Sequence, residues 1–164
     1  MLSRNHTITW KEYTDESELD PADRELVMSA RKASESAYAP YSGFSVGAAL
    51  RLDNGVTVTG TNVENAAFPS GICAERNAIS TAVSGYPSSA CIAIAIAART
   101  ADGLTADPVP PCGNCRQVIA EEESRTGTPV RVILSGKKSI IVIDRGGDLL
   151  PIQFNRKNLR SDLP

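Results

Sequence analysis

Apolar residues recur in two rhythms along this chain, one near 3.6 and one of two, and each change of rhythm marks a new element. From Asp20-Pro21-Ala22-Asp23 onward, Leu26, Ala30, Ala33 and Ala37 return at helical spacing, with Asp20 placed to cap and Pro21 carrying the φ of a first helical residue. Tyr38-Ala39-Pro40-Tyr41-Ser42-Gly43 breaks that helix. At Phe44 the period falls to two, with Phe44, Val46, Ala48, Leu50 and Leu52 on one face. Asp53-Asn54-Gly55 then turns the chain and Val56, Val58 and Gly60 return, which is a hairpin pattern. A second helix is predicted from near Cys73, with Ala78, Ile79, Ala82 and Val83 on one stripe and Gly85 and Pro87 beyond it.

Ile92, Ile94 and Ile96 alternate with alanines, giving a strand with one face small enough to lie under a helix. A third helix follows Pro110-Pro111 and runs through Val118, Ile119 and Glu122 toward Gly127 and Pro129. Residues 130–134 and 140–143 supply the last strands, and residues 7–13 are a candidate for a short extended piece. A strand, helix, strand order between Ile92 and Leu134 requires a parallel pair. The pattern predicts an α/β protein with a mixed five-stranded sheet between helices.

A length of 164 residues fits one domain at roughly 150 residues each. We read an N-terminal arm over residues 1–19 and a single domain over residues 20–164. With 41% hydrophobic and 22% charged residues, a disordered or coiled-coil chain is excluded. A net charge of −2 and 5% aromatics do not suit a protein that tracks a nucleic-acid backbone. The longest apolar run, residues 90–98, is about half of the roughly 18 residues that span a bilayer, so no membrane partner is expected. The first residues lack the apolar stretch of a secretory signal, and a cytoplasmic protein is expected.

In such a compartment four cysteines point to metal or chemistry rather than disulfides. Cys112-Gly113-Asn114-Cys115 opens the third helix and Cys73 opens the second, so three thiols converge on two helix N-termini, where the dipole favours thiolates. A C-x-x-C pair can also be a redox pair of the thioredoxin kind, and on spacing alone that alternative stands. Cys73-Ala74-Glu75 followed by Pro111-Cys112-Gly113-Asn114-Cys115 matches the C-x-E and P-C-x-x-C pattern of zinc deaminases in its cysteine form. Three ligands leave zinc a fourth position for water, whose pKa falls toward about 7. Glu75, not a ligand, is the candidate to shuttle protons.

Four blocks together resemble the cytidine deaminase family: residues 38–50 (Tyr38-Ala39-Pro40-Tyr41-Ser42-Gly43-Phe44-Ser45-Val46-Gly47-Ala48-Ala49-Leu50), Asn62-Val63-Glu64-Asn65, Cys73-Ala74-Glu75-Arg76 and Pro111-Cys112-Gly113-Asn114-Cys115-Arg116-Gln117. The likeness covers about residues 20–154 and follows the family's order. It implies a three-layer α/β/α fold and hydrolysis of cytidine or deoxycytidine to the uracil nucleoside and ammonia. It further implies one zinc per chain on Cys73, Cys112 and Cys115, and Glu75 as proton shuttle. Asn62 and Glu64 are implied on the ribose 3′-hydroxyl, Phe44 against the pyrimidine and the Ala74 N–H on the base oxygen. Arg76 resembles the arginine that bonds the thiolate ligands in the three-cysteine branch. Independently of the likeness, Asn62 and Glu64 stand two apart at a strand end, so both can face one pocket.

His6, the only histidine, lies in the arm, so the first ligand is expected to be Cys73. Phe68-Pro69 stands where relatives commonly carry Tyr-Gly, which removes a tyrosine hydroxyl from the expected set. Leu149-Leu150-Pro151-Ile152-Gln153-Phe154 resembles the tail of the short, homotetrameric branch, in which the aromatic reaches a neighbouring subunit; a local helix on the sheet is the alternative. Two other functions stand beside the main one. The first is a deaminase of another aminopyrimidine nucleoside such as blasticidin S, against which the Asn62 and Glu64 pair argues. The second is a non-enzymatic domain with a structural four-cysteine zinc completed by Cys91, whose bland reading is core packing.

Overall fold

The computed structural model describes residues 1–159. Its strands are β1 (Lys11–Tyr13), β2 (Ser45–Leu52), β3 (Thr57–Thr61), β4 (Cys91–Thr100), β5 (Gly103–Leu104), β6 (Arg131–Ser135) and β7 (Ile140–Ile143). Its helices are α1 (Pro21–Ala33), α2 (Ala74–Gly85) and α3 (Gly113–Thr126). One sheet runs in the order β1-β7-β6-β4-β2-β3, with β5 on β4. The β4 and β6 pair is parallel, as the intervening α3 demands, and the other pairs are antiparallel.

The sheet therefore holds seven strands, not the five expected. The two additions are short: β1 lies along β7, and β5 turns back onto the end of β4 through Gly103 at φ 102°. The first falls within the extended piece expected over residues 7–13; the second, of two residues, is too short to carry a period, and only the backbone pairing reveals it. Helix α1 also stops four residues short of Ala37. Its last turn tightens at Ser34–Ser36, where the Ser34 and Ser36 hydroxyls donate back to the Arg31 and Ala33 carbonyls at 2.6 and 3.1 Å.

The remaining expectations of the helix and turn signals are met. Asp20 caps α1 by accepting from the Asp23 N–H at 2.9 Å, and Gly127 ends α3 in the left-handed region at φ 71°. Three layers result. On one side Leu26, Val27 and Ala30 of α1 pack on Ala49, Ala93, Ala95 and Ala97. On the other, Ala78, Ile79 and Ala82 of α2 and Ile119 of α3 pack on Leu50, Ile94, Ile96, Val132 and Leu134. Two glycines set how closely the helices approach. A Cβ at Gly47 would lie 2.2 Å from the Ala30 carbonyl oxygen, and one at Gly60 would lie 2.5 Å from the Ala78 nitrogen. Gly60 thereby lets the first turns of α2 rest directly on β3.

Between α1 and the sheet lies a buried charge. Arg51, Ala93 and Arg131 stand abreast on β2, β4 and β6, and Asp23 of α1, 0% exposed, sits over the alanine. It accepts from Arg51 Nη2 at 2.9 Å and pairs with Arg131 Nε at 2.7 Å. Arg131 also reaches Asp144 at 2.8 Å. Among the described residues no helix is long and apolar enough to cross a membrane.

Candidate active site and metal centre

Helices α2 and α3 begin side by side, and their N-caps are Cys73 and Cys112. The Cys73 thiol makes no capping hydrogen bond to its own helix. Cys115 follows in the first turn of α3, fully buried. The three sulfurs lie within 4.8 Å of one another, with Cys73 to Cys112 at 4.0 Å and Cys112 to Cys115 at 3.5 Å. A tetrahedral zinc with bonds of about 2.3 Å holds its sulfurs roughly 3.8 Å apart. The donor set fits zinc, one ion per chain, with a fourth position left for a non-protein ligand. A two-cysteine redox pair does not account for the third thiol.

Electrostatics lead to the same fit. Burial, with the neighbouring Cys112 and Glu75 charges, pushes the Cys73 thiol up, and burial with the charges of Glu75 and Cys73 pushes Cys115 up further. Burial also opposes ionisation of Cys112, but the N–H groups of Cys115 and Asn114 outweigh it and hold that thiol below its ordinary range. Three thiolates in one place require a cation among them.

Glu75 lies in the first turn of α2 and is 5% exposed. Burial raises its carboxyl above the usual range, against its own backbone N–H and the Cys115 thiol, which act the other way. A carboxyl so placed holds a proton more readily than an exposed one, which suits a group that both accepts and returns protons. Ala74, at the first helical position, offers an N–H with no partner inside the helix. Asn77 of the same helix donates to the Thr61 carbonyl at 3.1 Å and fixes α2 to the end of β3.

A cavity of about 630 Å³ opens in front of these groups. Phe44, Asn62, Glu64, Ala74, Glu75, Cys73 and Cys112 all line it, so most of the residues singled out from the sequence share one space. Their hydrogen bonds add what the sequence did not reveal. The Asn62 side chain bridges the start of β2, accepting from the Val46 N–H at 2.7 Å and donating to the Phe44 carbonyl at 2.9 Å. Glu64 accepts from the N–H groups of Tyr41 and Ser42 at 2.8 and 3.2 Å and from the Ser42 hydroxyl. These bonds, the hydroxyl first, hold its carboxyl below the usual range. Tyr41 meets Phe68 edge to face at 5.8 Å on the cavity wall. Nothing local at Tyr41, Ser42 or Phe68 announces these partners, more than twenty residues away.

Arg76 is half-buried, and its side chain makes no hydrogen bond or ion pair among the described residues. Cys91 takes no part in the cluster. It is 1% exposed at the far end of β4, its thiol donates to the Ala93 carbonyl at 3.4 Å, and Ile96 is the β4 residue that reaches the cavity. A closed four-cysteine zinc is thus excluded by placement. Phe154 is 59% exposed, and its carbonyl accepts from Gln117 at 2.8 Å; the segment before it is a short turn at Gly146–Leu149.

Comparison with known proteins agrees with this arrangement. The model of the cytidine and deoxycytidylate deaminase zinc-binding region matches residues 21–128. A cytidine deaminase of Sporosarcina psychrophila is 42% identical over 135 residues, covering 82% of this chain and 92% of that protein. A cytidine deaminase of Mycobacterium tuberculosis is 37% identical over 133 residues, covering 79% of this chain and 87% of that protein. The crystal structure of cytidine deaminase from Burkholderia pseudomallei superimposes with a TM-score of 0.67 at 39% identity, covering 79% of this chain and 97% of that one. With three thiols and a buried glutamate at two adjoining helix starts, this chain belongs to the cytidine and deoxycytidylate deaminase family.

Proposed function

We propose that the protein is a hydrolase that converts cytidine and 2′-deoxycytidine to uridine and 2′-deoxyuridine with release of ammonia. The observation that carries this reading is the buried Glu75 beside three convergent thiols, facing a cavity that also holds Phe44 and Glu64. Cys73, Cys112 and Cys115 hold the zinc, which when bound supplies the Lewis acidity that makes water a nucleophile at neutral pH. Glu75 takes one proton from the attacking water and returns it to the ring nitrogen, then takes the second from the hydroxyl so formed and passes it to the departing amine, which leaves as ammonia. The Ala74 N–H receives the base oxygen and Phe44 packs against the pyrimidine. Asn62, already tied to β2, and Glu64, held by the 41–42 loop, receive the ribose 3′-hydroxyl. Arg76, one residue beyond Glu75, is read as a cation that offsets the surplus negative charge of three thiolates on one zinc.

The cavity favours a nucleoside over a nucleotide. Among the described residues that line it there is no lysine, arginine or histidine, while Glu64 and Glu75 are present, so these side chains offer a phosphate no cationic partner. Residues 20–164 are read as the catalytic domain and residues 1–19 as an arm. We place the enzyme in pyrimidine salvage in the cytoplasm, as a homotetramer. Exposed apolar side chains around the cavity mouth, Tyr41, Val63 and Phe68, and the exposed Phe154 support association.

Ammonia release from cytidine, deoxycytidine, cytosine, deoxycytidine monophosphate and blasticidin S tests the proposal. Turnover of the two nucleosides, at rates far above the other three, is expected. Preference for blasticidin S or for the monophosphate overturns it.

A further inference from the structure

We propose that Arg116 is a positioning residue for the metal centre, tying the peptide that leads into Cys112 to the chain's C-terminal segment; this rests on the reading of Cys73, Cys112 and Cys115 as zinc ligands. Arg116 Nε donates to the Pro111 carbonyl at 2.8 Å and Nη1 donates to the Leu149 carbonyl at 3.3 Å. Its own backbone N–H closes the first turn of α3 on the Cys112 carbonyl at 2.9 Å. One side chain thus joins the stretch of chain just before a ligand to one that lies 33 residues beyond Arg116 itself.

The three ligands are held in unequal ways. Cys115 is fully buried and fixed by packing, and Cys73 follows Ile72, whose backbone bonds Val63 in both directions at 3.0 Å. Cys112 is exposed and follows Pro110-Pro111, two residues with no backbone N–H to anchor them. The Pro111 ring is fully buried, and its carbonyl, the acceptor next to Cys112, is taken by Arg116. At the other end, Leu149 closes the turn at Gly146–Leu149 and packs against the core. That turn is firmly seated: the Gly146 N–H donates to the Val130 carbonyl at 2.8 Å, and a Cβ at Gly146 would come within 2.4 Å of Ile119 Cγ2.

The placement also runs against helix electrostatics. A cation in the first turn opposes the macrodipole, and the first turn of α3 contains no acid to offset it, whereas α2 has Glu75. Three thiolates with one divalent zinc leave a net charge of −1, which makes that position favourable to a guanidinium. A lysine keeps the charge but lacks the planar fork that reaches two carbonyls at once.

The test follows zinc rather than turnover. Competition with a coloured chelator measures zinc affinity in wild type, Arg116→Gln and Arg116→Lys, and thermal unfolding of the zinc-free proteins is followed in parallel. We expect Arg116→Gln to weaken zinc by about 10- to 100-fold, the range for partners that orient a metal ligand. The zinc-free melting temperature should stay close to wild type, and Arg116→Lys should recover only part of the affinity. With cobalt in place of zinc, the thiolate charge-transfer band of Arg116→Gln should shift. Unchanged zinc affinity in Arg116→Gln, full rescue by lysine, or a loss that merely follows a lower zinc-free melting temperature overturns the proposal. Cys112→Ser serves as reference: if it keeps its zinc, the ligand assignment itself is wrong and the tether falls with it.

Discussion

Alanines and isoleucines alternate along β4, and the helical layers they meet have different tasks. The alanine face lies under α1 and carries a buried ionic cluster, Asp23 between Arg51 and Arg131, distant from any ligand-binding group. The isoleucine face lies under α2 and α3 and carries three thiols and Glu75 at one end. Both faces bury charge. On the first each charge has its partner, which suits rigidity; on the second Glu75 is left poorly solvated, which suits proton transfer. The difference can be broken or sharpened by substitution.

The largest effects should cross. Glu75→Gln should lower kcat by about 10²- to 10⁴-fold while zinc content and melting temperature stay near wild type, because the amide cannot accept a proton. Asp23→Asn should do the reverse. It leaves two arginines facing each other and costs about 3 kcal/mol, the low end for a broken buried pair because the arginines are 23% and 29% exposed. Urea unfolding and steady-state rates on both variants give the comparison. A large kcat loss in Asp23→Asn at a temperature where it is folded would show that the faces are coupled.

A smaller contrast is set by the two glycines. Gly47→Ala drives a Cβ toward the Ala30 carbonyl, and Gly60→Ala drives one toward the Ala78 nitrogen and the Ala74 carbonyl. Each should cost about 1–3 kcal/mol as overpacking. Only Gly60→Ala should also weaken zinc, since the turn it lifts carries Glu75 and follows Cys73. Equal zinc loss in both would erase the distinction.

An effect absent at neutral pH separates the two ends of the isoleucine face. Burial, together with Glu122, pushes the Cys91 thiol up to about 12 from 9.0. From pH 9 upward the unfolded chain gives up a proton that the folded chain keeps. Stability is therefore full below pH 9 and falls by about 1.4 kcal/mol per pH unit as pH rises toward 12. Cys91→Ala should flatten that slope between pH 9 and 11 and leave zinc untouched. Superimposable slopes in urea midpoints would mean that Cys91 ionises freely.

The elements that bury a repeating stripe were legible residue by residue: the capped start of α1, the Asp53-Asn54-Gly55 hairpin, and the alternation on β4 that anticipates a helix over its alanines. So was the convergence of Cys73, Cys112 and Cys115, because helix starts have local signals. What escaped depends on register or on long separations. The Arg51, Ala93 and Arg131 row exists only once three strands are aligned. The Asn62 amide completes the edge of β2 across sixteen to eighteen residues, and Arg116 finds its second acceptor at Leu149.

The short strand β1 alters what the sheet shows to other molecules. Without it the outer edge would be β7, reading Ile140, Ile141, Val142 and Ile143, with a row of open N–H and C=O groups beside a strongly β-forming stretch. With it, the outermost strand is three residues long and presents Lys11 and Glu12. The arm is then a guard against edge-to-edge polymerisation, and protein made without its first thirteen residues should lose solubility before it loses catalysis.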